Sequence, residues 1–512
     1  MAVRPRLDTH QARGSSPDPA QASSTIAAPG ANHVARPQLD SKAPAAERRT
    51  TPENRWEVRD FSESGTASAV TQFHLLSFEG PDPYSRAGGL ASRVDGLMRA
   101  LSSLGFETHL WFVGDPARPG HEESQGIRLH RWCQWVSQYH PHGVYDGEEG
   151  KVRDYTASLA PHLLEQVLLP HLTAGGHAVV LAEEWHTAQA VLELDRMLRS
   201  AGYRDRVTLL WNANNLFGFD RIAWSELSRA AAITTVSRMM RLRMAHTGVP
   251  ALVIPNGLPP EAFEPPDRRL VARLRAQLRE RLVLVKIARW DPDKAWLCAV
   301  EGTRELKKAG LRPLLVSRGG AEAHGAEVRA AARAAGLRWI DRSDPANLPD
   351  ALADLHEADV VCLGFSLDSA TCRVLYRAAD AVLANSRFEP FGLVGLEAMA
   401  AGGVACVGLT GEDYTLPGRN ALVLQTEDPH ELVGVLERLR THPEEERTLR
   451  ATARRTAKTF AWNEIVTRVL LPRVELLRSP RVLRARPGDA DRPASTKPTR
   501  GSAIRLPPAG AP

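Results

Sequence analysis

The chain has 512 residues, too many for one ordinary hydrophobic core, and length alone suggests about three domains. Its formal charge is +5, but residues 1–50 carry +3 and residues 481–512 carry +5, which leaves −3 for the middle of the chain. The basic balance therefore belongs to the tails, which argues against a folded surface built for nucleic acid. The five cysteines are odd in number, dispersed and without a C-x-x-C pair, as expected of small core residues in a reducing compartment.

Residues 1–66 are rich in Ala, Ser, Pro, Arg and Gln, and residues 480–512 repeat that style. Such segments bury too little apolar surface to offset chain entropy, so both are expected to be disordered tails. The N-terminus shows no apolar signal-peptide core. The longest apolar stretch, Val394 to Leu409, contains Glu397 and is too short to span a bilayer. A cytoplasmic protein with no transmembrane segment is the expectation.

From residue 71, short apolar runs alternate with amphipathic segments. Gln72–Phe78 reads as a strand, Leu90–Leu104 as a helix and Glu107–Val113 as a strand. Asp154–Leu172 reads as a helix, followed by strand His177–Ala182 and helix Thr187–Arg199. Val207–Asn212, Ala232–Val236 and Ala251–Ile254 complete a first set of strands. Gly-Pro punctuation near residues 257–280 suggests a boundary. A second series follows, with strands at Leu282–Ile287, Pro313–Val316, Asp359–Leu363, Ala381–Leu383 and Val404–Val407. Helices are expected at Ala295–Ala309, Glu322–Ala335, Asn347–Leu355, Pro429–Leu439, Glu444–Phe460 and Asn463–Leu477. Strands alternating with helices imply parallel sheet. The expected α/β architecture is two tandem Rossmann-like domains facing a cleft, at residues 67–262 and 263–460, with a helix at 461–479 that returns toward the first domain. In such sheets ligands bind beyond the carboxyl ends of the strands.

The segment Glu389-Pro-Phe-Gly-Leu-Val-Gly-Leu-Glu397 follows the strand Ala381–Leu383. Pro390 and Gly392 delay the helix, which then runs from Leu393 to Ala401 and ends at Gly402-Gly403. Free N–H groups at Gly392, Leu393 and Val394 make an anion site suited to a diphosphate. Glu397, further into an otherwise apolar helix, can accept two hydrogen bonds from a ribose diol. Glu389 can meet sugar hydroxyls, and Gly392 and Gly395 allow close approach of a ligand. Arg289 and Lys294 follow an apolar strand, five residues apart. Two cations there would stabilise charge growing on a departing phosphate.

The stretch Glu-Pro-Phe-Gly-Leu-Val-x-Leu-Glu-Ala-Met-Ala resembles the E-x7-E segment of retaining glycosyltransferases of family 4, related to the glycogen and starch synthases. Ala288-Arg289-Trp-Asp-Pro-Asp-Lys294 resembles that family's G-R-x-x-x-x-K segment. Val253-Ile-Pro-Asn256-Gly resembles its I-P-N-G segment, Thr235-Val-Ser its V-S turn, and Arg86-Ala-Gly88-Gly89-Leu its Gly-Gly-Leu loop. The resemblance covers roughly residues 71–475. It implies the GT-B fold and transfer of a sugar from a nucleoside-diphosphate sugar to a hydroxyl acceptor with retention of configuration. It also implies catalytic roles for Arg289, Lys294, Glu389, Glu183 and His186, and donor contacts from Glu397, Gly392, Leu393, Val394, Gly88, Gly89 and Asn256. No cofactor is expected beyond the nucleotide-sugar co-substrate. No H-x-x-x-H pair occurs among the 17 histidines, so no metal is expected, and the two cations could replace one.

Two departures from the family pattern lie in the first domain. Glu183, in Ala182-Glu183-Glu184-Trp185-His186-Thr187, stands where the synthases have an active-site His. Asn212 occupies the position of a second His. His186 reads equally as a helix-start residue. An epimerase that shares the two-domain shape remains an alternative, as does a sugar-nucleotide-binding protein that lost activity through these departures.

Overall fold

The alternating apolar runs fold into two sheets. The structure, a computed structural model, describes residues 71–343, 347–408, 410 and 412–478, and the tails expected at 1–66 and 480–512 lie outside the described residues. The first sheet is built from β1 (Thr71–Leu76), β2 (Glu107–Val113), β3 (His121–Ser124), β4 (Ile127–Trp132), β5 (His177–Glu183), β6 (Val207–Ala213), β7 (Ala232–Thr235) and β8 (Leu252–Val253). Its strand order is β3-β4-β2-β1-β5-β6-β7-β8, parallel throughout except for the β3–β4 hairpin. The second sheet comprises β9 (Leu282–Ile287), β10 (Pro313–Arg318), β11 (Trp339–Arg342), β12 (Val360–Leu363), β13 (Ala381–Ala384), β14 (Ala405–Val407) and β15 (Leu422–Val423). It is fully parallel in the order β11-β12-β10-β9-β13-β14-β15.

The expected two-sheet α/β architecture is present. The strands that sequence periodicity does not anticipate, β3, β4, β11 and β15, all lie toward sheet edges. An edge strand keeps a solvated side, so it carries polar residues such as His121-Glu-Glu-Ser124 and lacks the continuous apolar run of a buried parallel strand. The helix expected at Asn347–Leu355 shortens to Leu348–Ala351, capped by the Asn347 side chain. All five cysteines are free. Among the described residues no helix is long and apolar enough to cross a membrane.

The chain returns to the first sheet at its end. Trp462, Ile465, Val466, Leu470 and Val474 pack into one cluster with Phe73, Leu97 and Leu101. Leu258 and the 460–462 segment exchange backbone hydrogen bonds at 2.8 and 3.0 Å. The indole of Trp462, 3% exposed, fills notches left by two glycines, because a Cβ at Gly96 or Gly257 would collide with it. Trp462→Ala is expected to cost about 3–5 kcal/mol, read as a lowered denaturant midpoint at unchanged m-value.

Candidate active site

β9 and β13 are neighbours, with Val285 beside Val382, so the loops at their carboxyl ends lie side by side. One loop carries Arg289 and Lys294; the other carries Glu389. The structure joins Lys294 and Glu389 directly: the ammonium lies 2.5 Å from Glu389 Oε2, which also accepts from the Ser386 hydroxyl at 3.1 Å. The Arg387 N–H donates to the Asp293 carbonyl at 2.7 Å, tying the two loops further. Arg289 is exposed, and among the described residues its guanidinium makes no hydrogen bond or ion pair. Beneath this pair Lys286 is buried within β9 and donates to Asn385 Oδ1 at 2.9 Å and the Leu383 carbonyl at 3.2 Å. Burial lowers its pKa to about 7.

The helix Leu393–Ala400 starts behind Glu389, with Gly392 as its N-cap. The Tyr414 hydroxyl donates to the Gly392 carbonyl and fixes this helix start. A Cβ at Gly395 would approach the Tyr414 hydroxyl at 2.6 Å, so this glycine serves protein packing instead of the ligand approach expected from the sequence. Leu393, Val394 and Glu397 form the partly exposed side of an otherwise buried helix. Glu397 meets the Tyr376 hydroxyl at 3.4 Å. Its pKa rises to about 7 through burial, which outweighs that one hydrogen bond. A further carboxylate, Glu412, lies beside Gly392 and was not foreseen. It accepts the Thr410 N–H at 3.1 Å and hydroxyl at 2.8 Å, and burial raises it to about 7. It sits in a loop without periodicity, where no sequence signal marks it.

The opposite wall differs from expectation. A catalytic role was expected of Glu183; its carboxylate is fully buried and held by protein partners. The Arg93 Nε donates to both oxygens at 3.0 and 3.2 Å, and the side-chain amides of Asn212 and Asn214 each donate to Oε2 at 2.7 Å. Arg93 Nη1 then donates to Asn256 Oδ1 at 2.7 Å, so Asn256 offers that oxygen to Arg93. The two departures from the family pattern, Glu183 and Asn212, are thus partners in one buried network. Arg93 interrupts the apolar face of helix Gly89–Ser103, which was the readable signal for a buried ion pair.

The Gly88–Gly89 loop is likewise engaged from within. The Glu79 carboxylate accepts N–H groups from Gly88 at 2.9 Å, Ala91 at 3.1 Å and Ala87 at 3.3 Å. Of Gly88 and Gly89, from which donor contacts were expected, the Gly88 amide is thus engaged by Glu79. The Tyr145 hydroxyl donates to the other Glu79 oxygen at 2.7 Å. His186 stacks between Phe78 and Trp185 and bonds Glu148 through Nε2 at 2.8 Å, while its buried Nδ1 has no hydrogen-bond partner among the described residues. Glu184 stands at φ +66°, ψ 167°, a backbone conformation that non-glycine residues rarely hold. It is 3% exposed, accepts the Asn214 N–H at 2.7 Å, and is raised to about 8 by burial, with the Glu183 charge contributing. Contacts between the walls include Asp413, which accepts from the Arg238 N–H at 2.8 Å and Nε at 3.1 Å, and Arg243, which lies over the Phe388 ring at 5.7 Å.

The comparison with known proteins meets this geometry at the second sheet. A family described as glycosyl transferases group 1 matches residues 295–442. That segment is similar to the group 1 glycosyltransferases. The matched region includes Glu389, the helix Leu393–Ala400 and Glu412. A D-inositol 3-phosphate glycosyltransferase of Thermomonospora curvata is 32% identical over 131 residues, 25% of this chain and 30% of the relative. Its namesake from Stackebrandtia nassauensis is 31% identical over 222 residues, 41% and 45% of the two chains. The chain thus spans less than half the length of the curated relatives it matches. Among solved structures, sucrose-phosphate synthase from Thermosynechococcus elongatus superposes with TM-score 0.58 at 20% identity, covering 79% of this chain and 99% of that one. Starch synthase IV from Arabidopsis thaliana, bound to ADP and acarbose, gives 0.56 at 16%, covering 80% and 99%. The chain therefore shares the GT-B fold of these structures.

Proposed function

We propose that the chain transfers a sugar from a nucleoside-diphosphate sugar to a hydroxyl acceptor with retention of configuration. The observation that carries this reading is the Lys294–Glu389 pair beside the amino end of helix Leu393–Ala400, with Glu397 on the same partly exposed helix side and, among the described residues, paired with no cation. In this reading the Gly392–Val394 amides, Arg289 and Lys294 hold the diphosphate. Glu397 accepts from the ribose diol, and Glu389 orients the sugar while holding Lys294 in place.

The glycosidic bond from sugar C1 to the leaving phosphate oxygen breaks, and a bond from C1 to the acceptor oxygen forms on the same face. The acceptor proton passes to the departing phosphate. Arg289 and Lys294 stabilise the charge that grows there, more in the transition state than in the ground state. Glu183 acts through Arg93, Asn212 and Asn214, and is a positioning residue for the wall that receives the acceptor. The fold neighbours support the choice of donor class: one is described in complex with ADP and acarbose, and an Anabaena protein of the same fold with UDP and glucose.

The test is calorimetric titration of UDP, GDP and ADP into the wild type and Glu397→Gln. Ribose hydroxyls donate to the ionised carboxylate, so binding should pull Glu397 below its resting value of about 7 and release a proton. Nucleotide affinity should therefore rise with pH up to about 7 and level off above it. Because the nucleotide's own ionisation is common to both proteins, the part of the pH dependence that Glu397→Gln removes belongs to Glu397. An identical pH dependence in the two proteins would remove Glu397 from the ribose site.

A further inference from the structure

A cavity of about 400 Å³ lies beside the Gly88–Gly89 loop, lined by Tyr84, Arg86, His142, Val144, Tyr145 and Asp146 among others. That volume suits a small ligand. Its two walls, the segments at 83–87 and 141–146, are clamped from beneath by one buried cation. Lys151 is 0% exposed, and its ammonium donates to the Tyr84 hydroxyl at 2.7 Å and to the Gly143 and Val144 carbonyls at 3.0 and 3.1 Å. The Tyr84 hydroxyl in turn donates to the His140 carbonyl at 2.7 Å. With its three protons so used, Lys151 fixes the walls without offering a donor to the cavity. The site is preformed.

The lining side chains include one cation, Arg86, and one carboxylate, Asp146; Lys151 and Glu79 lie behind the walls, bonded to Tyr84 and Tyr145. Arg86 is exposed, with no ion pair among the described residues. Asp146 lies 3.4 Å from His140 and accepts the His142 N–H at 3.2 Å. The loop's backbone N–H groups, where a phosphate would be held at such a helix start, already surround the Glu79 carboxylate, with Tyr145 hydrogen-bonded to its other oxygen. A phosphate reaching this loop would have to displace a carboxylate with four hydrogen bonds or lie against its negative charge.

We propose that this cavity receives the acceptor as an uncharged polyhydroxylated ring, and that Glu79 is the specificity-determining residue that turns phosphorylated acceptors away. The inference rests on the transferase reading above. Arg86 and Asp146 supply the donor and acceptor that ring hydroxyls need, and Tyr145 supplies an aromatic surface. Discrimination comes from an occupied anion site, a repulsive element instead of an added contact.

The experiment uses matched acceptor pairs: D-glucose and glucose 6-phosphate, D-fructose and fructose 6-phosphate, myo-inositol and D-inositol 3-phosphate. Each is assayed with UDP-, GDP- and ADP-sugars after nucleotide binding has been measured separately. The uncharged member of at least one pair should be glycosylated with kcat/KM about tenfold or more above its phosphorylated partner. Glu79→Gln should narrow that ratio, and the surface variant Arg86→Ala should raise KM for the acceptor while nucleotide affinity stays unchanged. If nucleotide binds but the phosphorylated member is preferred, or no polyol of the panel is glycosylated, the cavity proposal is overturned and the donor site stands. If no nucleotide binds, the donor reading itself has failed.

Discussion

Arg289→Ala is expected to lower kcat by about 10²–10³-fold at saturating donor, the loss seen when one fixed donor to a developing oxyanion is removed. The structure makes this variant unusually clean. The Arg289 side chain is exposed and unpaired among the described residues, so its removal leaves no buried partner behind and should shift stability by less than about 0.5 kcal/mol. Lys294→Ala should reduce kcat by a similar factor and also release Glu389 from its 2.5 Å contact. That loosening should raise KM for the donor, which Arg289→Ala should not do. Steady-state kinetics with melting curves check both: an unchanged kcat in Arg289→Ala removes that residue from the reacting centre.

A loss of stability as large as that of Trp462→Ala is expected across the cleft, at Arg93. Arg93→Ala should destabilise the protein by about 3–5 kcal/mol, because it strands the charge of Glu183 in a fully buried site. Asn212 and Asn214 still donate to that carboxylate, but neither can neutralise it. Adding Glu183→Gln to Arg93→Ala should recover part of the loss, since the stranded charge disappears while the asparagine contacts are kept. Chemical denaturation of the single and double variants measures this, and a double variant less stable than Arg93→Ala would contradict the buried-charge account.

Three raised carboxylates add a pH dependence of defined sign. Glu184 is raised to about 8, and Glu397 and Glu412 to about 7, in each case first by burial. A carboxylate raised on folding stabilises the native state fully below its ordinary range, and that contribution is lost as pH rises through the folded value. These three carboxylates should therefore subtract stability as pH rises between about 5 and 8, against the opposite contribution of buried histidines such as His74 and His130, whose pKa burial lowers. Bound nucleotide should oppose the part of this loss that belongs to Glu397.

The sequence shows the second wall more fully than the first, for a physical reason. Glu389 to Glu397 is a local unit: a loop at a strand end, a delayed helix start and one charged residue in an apolar helix. Each feature is set by residues close in the chain, so the segment can be read from its neighbours. Lys286 also stood out in principle, as the one charge in the strand Leu-Val-Leu-Val-Lys-Ile. The first wall depends on partners distant in sequence. Glu183 is bound by Arg93, ninety residues upstream, and the Gly88 amide is bound by Glu79 from across a turn. Spacing marks such groups as unusual without saying whether they face a ligand or each other. The edge strands escaped for a related reason, because solvation on one side removes the apolar signal that marks a buried strand.

The decisive measurement is mass spectrometry of a reaction holding the protein, a nucleoside-diphosphate sugar and a panel of hydroxyl acceptors. The account requires one glycosylated acceptor to appear for each nucleoside diphosphate released, and both to vanish in Arg289→Ala with Lys294→Ala. An epimerised sugar nucleotide with no glycosylated acceptor, or a nucleotide sugar that binds and is never consumed, would contradict it.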